Sequence, residues 1–169
     1  VRMVPQDGFL FDTTVADNIL YGRAGTKRAD VEAAIEALGL RGWVEGLPDG
    51  LETRVGQRGE SLSVGERQLV ALARAQVADP GLLILDEATS AVDPETELAL
   101  EGALEHLAEG RTTVSVAHRL TTAQRADLVL VFDRGRIVEQ GAHTRLVSVP
   151  GVYANLHKSW LGNTRASSR

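Results

Sequence analysis

The chain has 169 residues, is 43% hydrophobic and carries a formal net charge of −5, enough apolar content for a core and the wrong sign for a protein whose main partner is a phosphate backbone. It has no cysteine, which excludes a disulfide framework and a thiolate metal site. The longest apolar runs, Leu82–Leu85 and Leu128–Phe132, fall far short of the roughly 20 residues of a membrane span and read as buried strands.

Val1–Val4 reads as a strand entered in its middle, without a signal-peptide layout, so further sequence is expected upstream. A turn over Asp7–Thr14 leads to a short helix over Val15–Leu20. Asp30–Leu38 is amphipathic, with Val31, Ala34, Ile35 and Leu38 at helical spacing and Gly39 as its stop. A short helix is expected around Arg41–Glu45, then a long loop over Pro48–Ser61. Leu69, Leu72, Ala73 and Val77 form a helical stripe, and Leu82–Leu85 a continuous aliphatic strand, expected to be covered on both faces. Pro94 opens a helix to about Leu107. Strands follow at Thr112–Ala117 and Asp127–Phe132. Asp133-Arg134-Gly135-Arg136 is a turn that returns the chain through Ile137–Glu139 as a hairpin. Short helices are expected at Thr144–Val147 and Val152–Lys158, then a frayed polar tail after Leu161. The alternation of strand and helix predicts an α/β fold with a parallel, doubly wound sheet, and the helical stretch packs beside it as an insertion.

Five places carry candidate chemistry. The Leu82–Leu85 strand ends in Asp86-Glu87, where such sheets place ligands. Asp86 suits a hard cation such as magnesium and Glu87 an attacking water, although a solvated acidic turn explains the pair equally well. Leu62-Ser63-Val64-Gly65-Glu66-Arg67-Gln68 opens a helix, and Ser63 and Glu66 have capping-box spacing. Capping accounts for Ser63 and Glu66; a glycine in the first turn makes sense where something must approach the backbone, as a phosphate does at a helix N-terminus. That use requires Gly65 to lie open. His118 ends the Thr112–Ala117 strand, where it is either structural or faces the same ligand as Glu87. Asp93 before Pro94 is a sufficient helix cap in its own right. Gln6 follows the first strand and is unremarkable alone.

In order, these elements resemble the ATP-binding cassette (ABC) ATPases. Gln6 is similar to the Q-loop, Leu62–Gln68 to the signature, Leu82–Asp86 to Walker B with Glu87 as catalytic glutamate, Ser90-Ala91-Val92-Asp93 to the D-loop, and His118 to the switch histidine. Gln6–Phe11, Thr14–Ile19 with Tyr21-Gly22, Thr53–Gly59 and Arg136–Gly141 resemble the exporter branch. Val64 and Glu66 replace the usual third and fifth residues of Leu-Ser-Gly-Gly-Gln, and Gln57 stands where exporters commonly have Glu. No G-x-x-x-x-G-K-[ST] occurs: the only lysines are Lys27 and Lys158, neither in such a loop. The family places that P-loop before Gln6.

The resemblance implies a P-loop NTPase-like core lacking its P-loop strand. The expected organisation is a helical subdomain over about 8–78, an α/β core over 1–7 and 79–148, and a C-terminal helix and tail over 149–169. It implies ATP and magnesium as cofactors and Glu87 and His118 as catalytic residues. ATP contacts are implied for Gln6, Ser63, Val64, Gly65, Glu66, Asp86 and Asp93, with Asp86 and Gln6 at the metal. The implied partners are a second ABC ATPase domain, head to tail, and a transmembrane domain, with no nucleic acid, at the cytoplasmic face of the cell membrane. On this reading the chain is the C-terminal part of an exporter's ATPase domain and is inactive alone. Two other readings stay open: a fragment that only completes a partner's ATP site, and a non-transport ABC ATPase of the DNA-repair or chromosome type. Sustained heptads for the coiled-coil arms of that type are absent. Without the P-loop strand, the isolated chain is expected to expose apolar core surface and to be poorly soluble or partly unfolded.

Overall fold

The computed structural model describes residues 1–5, 9–86, 93–117 and 120–166, the side chains of 162–166 excepted. The chain forms two compact units, Val1–Val116 and Ala117–Arg169.

In the first unit, β1 (Arg2–Val4), β2 (Leu82–Asp86) and β3 (Thr112–Val116) form a parallel sheet in the order β1-β2-β3. Val4 pairs with Leu85, and Asp86 with Val116, so the three strands end along one edge. Between β1 and β2 run α1 (Val15–Leu20), α2 (Arg28–Ala37), α3 (Arg41–Gly46) and α4 (Val64–Ala78); α5 (Pro94–Ala108) joins β2 to β3. The long loop before α4 contains two short 3-10 turns, Gly50–Glu52 and Gln57–Gly59, and Arg54 bridges to Thr14.

Leu69, Val70, Leu72 and Ala73 of α4 pack with Leu83 and Leu85 of β2, Leu100 and Leu107 of α5, and Val15, Ile19, Val31 and Ile35 of the preceding helices. The helical stretch and the sheet therefore share one core. The expectation that β2 is covered on both faces is not met. Leu83 and Leu85 are buried, whereas Leu82, Ile84 and Asp86 on the alternate face are half-buried. That face continues through Met3, Val114 and Val116, each more than half exposed; the apolar exposure expected from the sequence is present there. The unbroken aliphatic run masked this asymmetry, because such a run marks the strand without saying how many layers cover it.

In the second unit, β4 (Val129–Asp133) and β5 (Arg136–Gly141) form an antiparallel hairpin. Arg134 and Gly135 both take positive φ (47° and 77°), as a type I′ turn requires. α6 (Leu120–Arg125), which the sequence reading missed, and α7 (His143–Ser148) place Ala123 and Leu146 on Val131 and Tyr153. α8 runs from Val152 to Ala166, so the tail expected to fray after Leu161 stays helical to that point. The Glu139 carboxylate accepts the Val152 and Tyr153 N–H groups at the start of α8.

Candidate functional site

The N-terminal tip of α4 is built by a reciprocal cap. Ser63 takes extended backbone angles, its hydroxyl oxygen accepts the Glu66 N–H (3.2 Å), and a Glu66 carboxylate oxygen accepts the Ser63 N–H (2.8 Å). Each residue thus satisfies a donor that the helix start would otherwise leave open. Between them, the Val64 and Gly65 N–H groups have no acceptor among the described residues, since the first intrahelical bond in this turn is Arg67 N–H to the Ser63 carbonyl. Because the Ser63 oxygen is accepting, its hydroxyl hydrogen is available to a ligand.

Ser63 and Val64 are exposed and Glu66 is half-buried, but Gly65 is buried. The openness required of Gly65 is not met in this chain. The physical reason is helical spacing: Gly65 falls in line with Gln68, Leu69 and Leu72, all on the buried side of α4. The reachable part of the tip is the Ser63 hydroxyl and Val64.

The loop leading into the tip is braced from α4. Arg67 donates to the Leu62 carbonyl (2.7 Å) and the Gly59 carbonyl (3.3 Å). Gly59 sits at φ 80°, and a Cβ there would lie 2.8 Å from both Arg67 Cδ and Leu10 Cδ1, so only glycine fits.

At the strand-end edge, Asp86 closes β2 on the more open sheet face and is half-buried. Gln6, Glu87 and His118 follow the three strands in sequence, within two residues of Val4, Asp86 and Val116, but lie outside the described residues, as do Ser90, Ala91 and Val92. Asp93 caps α5: its carboxylate accepts the Thr96 N–H (2.9 Å), and that bond holds the carboxyl below the usual carboxylate range. The cap expected from Asp93-Pro94 is therefore formed.

Two features escaped the sequence reading. Asn18 of α1 is fully buried and binds Phe11 through both its amide oxygen and nitrogen (2.9 and 3.0 Å). Arg74 of α4 donates to the Asn18 side chain, the Asn18 carbonyl and the Phe9 carbonyl. Burial draws its pKa down to about 10, so it remains a cation at neutral pH. The clamp holds Phe9, Phe11 and Tyr21, whose rings touch edge-on or tilted and are substantially exposed. The signal was an arginine set into an otherwise apolar run, Leu69–Ala75. The other feature is Trp43, whose indole N–H donates to Glu66 (3.4 Å).

The ABC transporter family model matches residues 1–90, more than half of the chain. The chain belongs to the ABC transporter family. It is 50% identical over 158 residues to the ATP-dependent lipid A-core flippase of Pseudomonas syringae pv. syringae (strain B728a), covering 93% of this chain and 26% of the flippase. To the ABC transporter ATP-binding protein YwjA of Bacillus subtilis (strain 168) it is 45% identical, covering 96% of this chain and 28% of YwjA. Its fold superposes on a bacterial Atm1-family ABC exporter with ATP bound at a TM-score of 0.82, with 44% identity over 93% of this chain and 28% of the exporter. The chain thus spans about a quarter of the length of the curated relatives it matches. The α/β architecture and the exporter-type ABC resemblance agree with these matches. Among the described residues, no helix is long and apolar enough to cross a membrane.

Proposed function

We propose that this chain is the C-terminal part of an ABC exporter's ATPase domain. Its α4 tip completes an ATP site on a second such domain, and its strand-end carboxylates serve ATP bound nearby. The observation that carries the reading is the capped tip: the exposed Ser63 hydroxyl, whose hydrogen the cap leaves unused, and the spare Val64 N–H stand at a helix N-terminus, where the helix dipole adds positive potential. Because Gly65 is buried, first contact with the γ-phosphate falls to Ser63 and Val64, with the Gly65 N–H behind them.

The remaining roles rest on family resemblance. Glu87 accepts the proton of the attacking water, His118 hydrogen-bonds the γ-phosphate, Gln6 senses it, and Asp93 couples the two sites. The Asp86 carboxylate and the Gln6 amide offer the hard oxygen donors that magnesium prefers; bound with the nucleotide, the ion neutralises phosphate charge. The domain is organised as a helical subdomain over about 8–78, a core over 1–7 and 79–148, and a terminal helix. It works at the cytoplasmic face of the membrane beneath a transmembrane domain, and the exposed Phe9, Phe11 and Tyr21 cluster is its contact surface. Closure on ATP and opening after hydrolysis form a two-state cycle biased by a ligand.

The test is ATP turnover by the intact protein that carries this chain. Glu87→Gln is expected to abolish turnover and to accumulate an ATP-bound closed dimer, detectable by size exclusion; retained turnover overturns the assignment. For the chain alone we expect no hydrolysis, and measurable ATPase activity would contradict both the motif assignment and the inferred division of labour.

A further inference from the structure

The fifth signature position holds a carboxylate, Glu66, one turn from the place where a nucleotide phosphate is proposed to sit. A free glutamate there would present a negative charge at the mouth of an anion seat. The structure turns that charge away from both sides. One carboxylate oxygen accepts the Ser63 N–H at 2.8 Å, and the other accepts the Trp43 indole N–H at 3.4 Å. Trp43 stands on α3, 23 residues earlier, and the body of its ring packs against the core of the first unit. It is therefore a fixed donor: an indole anchored by its apolar face with only its polar edge free to act. A single bond from Ser63 would let the carboxylate pivot; the longer contact from Trp43 limits that swing.

We propose that Trp43 is a positioning residue for phosphate binding at the α4 tip, acting by holding the Glu66 carboxylate in its capping pose. With Glu66 held, the Ser63 oxygen keeps the Glu66 N–H as its donor, and the hydroxyl hydrogen stays directed to the ligand. With Glu66 released, the carboxylate swings toward the phosphate and the cap loosens. The inference rests on the proposed ATP role of the tip.

The experiment is a double-mutant cycle in the intact protein, with W43F, E66Q and the pair compared for the KM for ATP, kcat and thermal stability. Phenylalanine keeps the packing and removes the donor; glutamine keeps the capping acceptor and removes the charge. In the Glu66 background, W43F is expected to raise the KM about fivefold with kcat within about twofold, and the rise should shrink at high salt, as a like-charge effect does. In the E66Q background, W43F should leave the KM within about twofold. An equal KM change in both backgrounds means that Trp43 acts through packing alone and overturns the proposal, as does an unchanged KM in the Glu66 background. The proposed function fails separately: Ser63→Arg, which fills the seat, would then leave turnover intact.

Discussion

Replacing Asn18 by alanine tests whether the clamp beneath the aromatic surface contributes strongly to stability. The Asn18 side chain is fully buried and makes four hydrogen bonds: from the Phe11 N–H, to the Phe11 carbonyl, to the Thr14 carbonyl and from Arg74. In the variant two of these partners are still served, because the Thr14 carbonyl keeps the Asn18 N–H and the Phe11 carbonyl keeps the Thr13 N–H. The Phe11 N–H and one Arg74 nitrogen are stranded, each costing about 1 kcal/mol, and the two lost bonds to served carbonyls add about 0.5 kcal/mol each, for about 3 kcal/mol in all. In a unit of this size that lowers Tm by about 10 °C. Scanning calorimetry of the intact protein that carries this chain measures it, with Thr14→Ala as a scale: that change removes the hydroxyl cap of α1 on the Asp17 N–H and costs about 1 kcal/mol. If Asn18→Ala costs no more than Thr14→Ala, water has replaced the lost partners and the clamp is not a buried network.

Three further outcomes are expected. Gly151→Ala would drive a methyl into the Glu139 carboxylate and displace it from the start of α8, costing about 1–2 kcal/mol; Glu139→Ala should cost the same and the double variant no more, as thermal unfolding would show. Gly59→Ala combines a positive φ with contacts to Arg67 and Leu10, so it should lower Tm by several degrees, about 1–3 kcal/mol. Burial raises the Tyr153 hydroxyl above the ordinary tyrosine value of 10.0. The neutral form is the one the fold favours, so its stabilisation is complete below that pH and is lost as pH rises through the folded value. An alkaline unfolding series should show extra loss of the second unit above about pH 10, absent in Tyr153→Phe.

What was legible in the sequence follows from how local the cause is. The starts of α4 and α5 were readable because Ser63 and Asp93 cap them with their own side chains, three residues from the donors they satisfy. The three parallel strands were readable from short β-rich runs. α6 was not: Leu-Thr-Thr-Ala-Gln-Arg offers no apolar stripe and buries only Ala123. The burial of Gly65 was missed although it was legible, since the motif fixes where the glycine stands along the chain, whereas the phase of the Leu69 and Leu72 stripe decides which side it faces. Reading that phase backward from Leu69 would have found it. The Trp43–Glu66 and Asn18–Arg74 pairs join residues 23 and 56 positions apart, and no local pattern announces either.

These long-range pairs also explain why α4 is organised as it is. Its first turn carries the capped tip, and Arg74, eleven residues after Ser63, grips the segment that bears Phe9 and Phe11. At about 1.5 Å per residue the two ends of this lever are about 16 Å apart. Between them lie Leu69, Val70, Leu72 and Ala73, nearly all fully buried, in a core too dense to let the helix bend locally. Gly22 completes the fit, since a side chain there would strike the Arg74 carbonyl. The capped tip and the Arg74 clamp therefore stand on one continuous helix whose middle is buried. The arginine suits this position better than a lysine would, because its planar fork holds two carbonyls and an amide at once, so the aromatic segment follows the helix as one body rather than pivoting on a single bond.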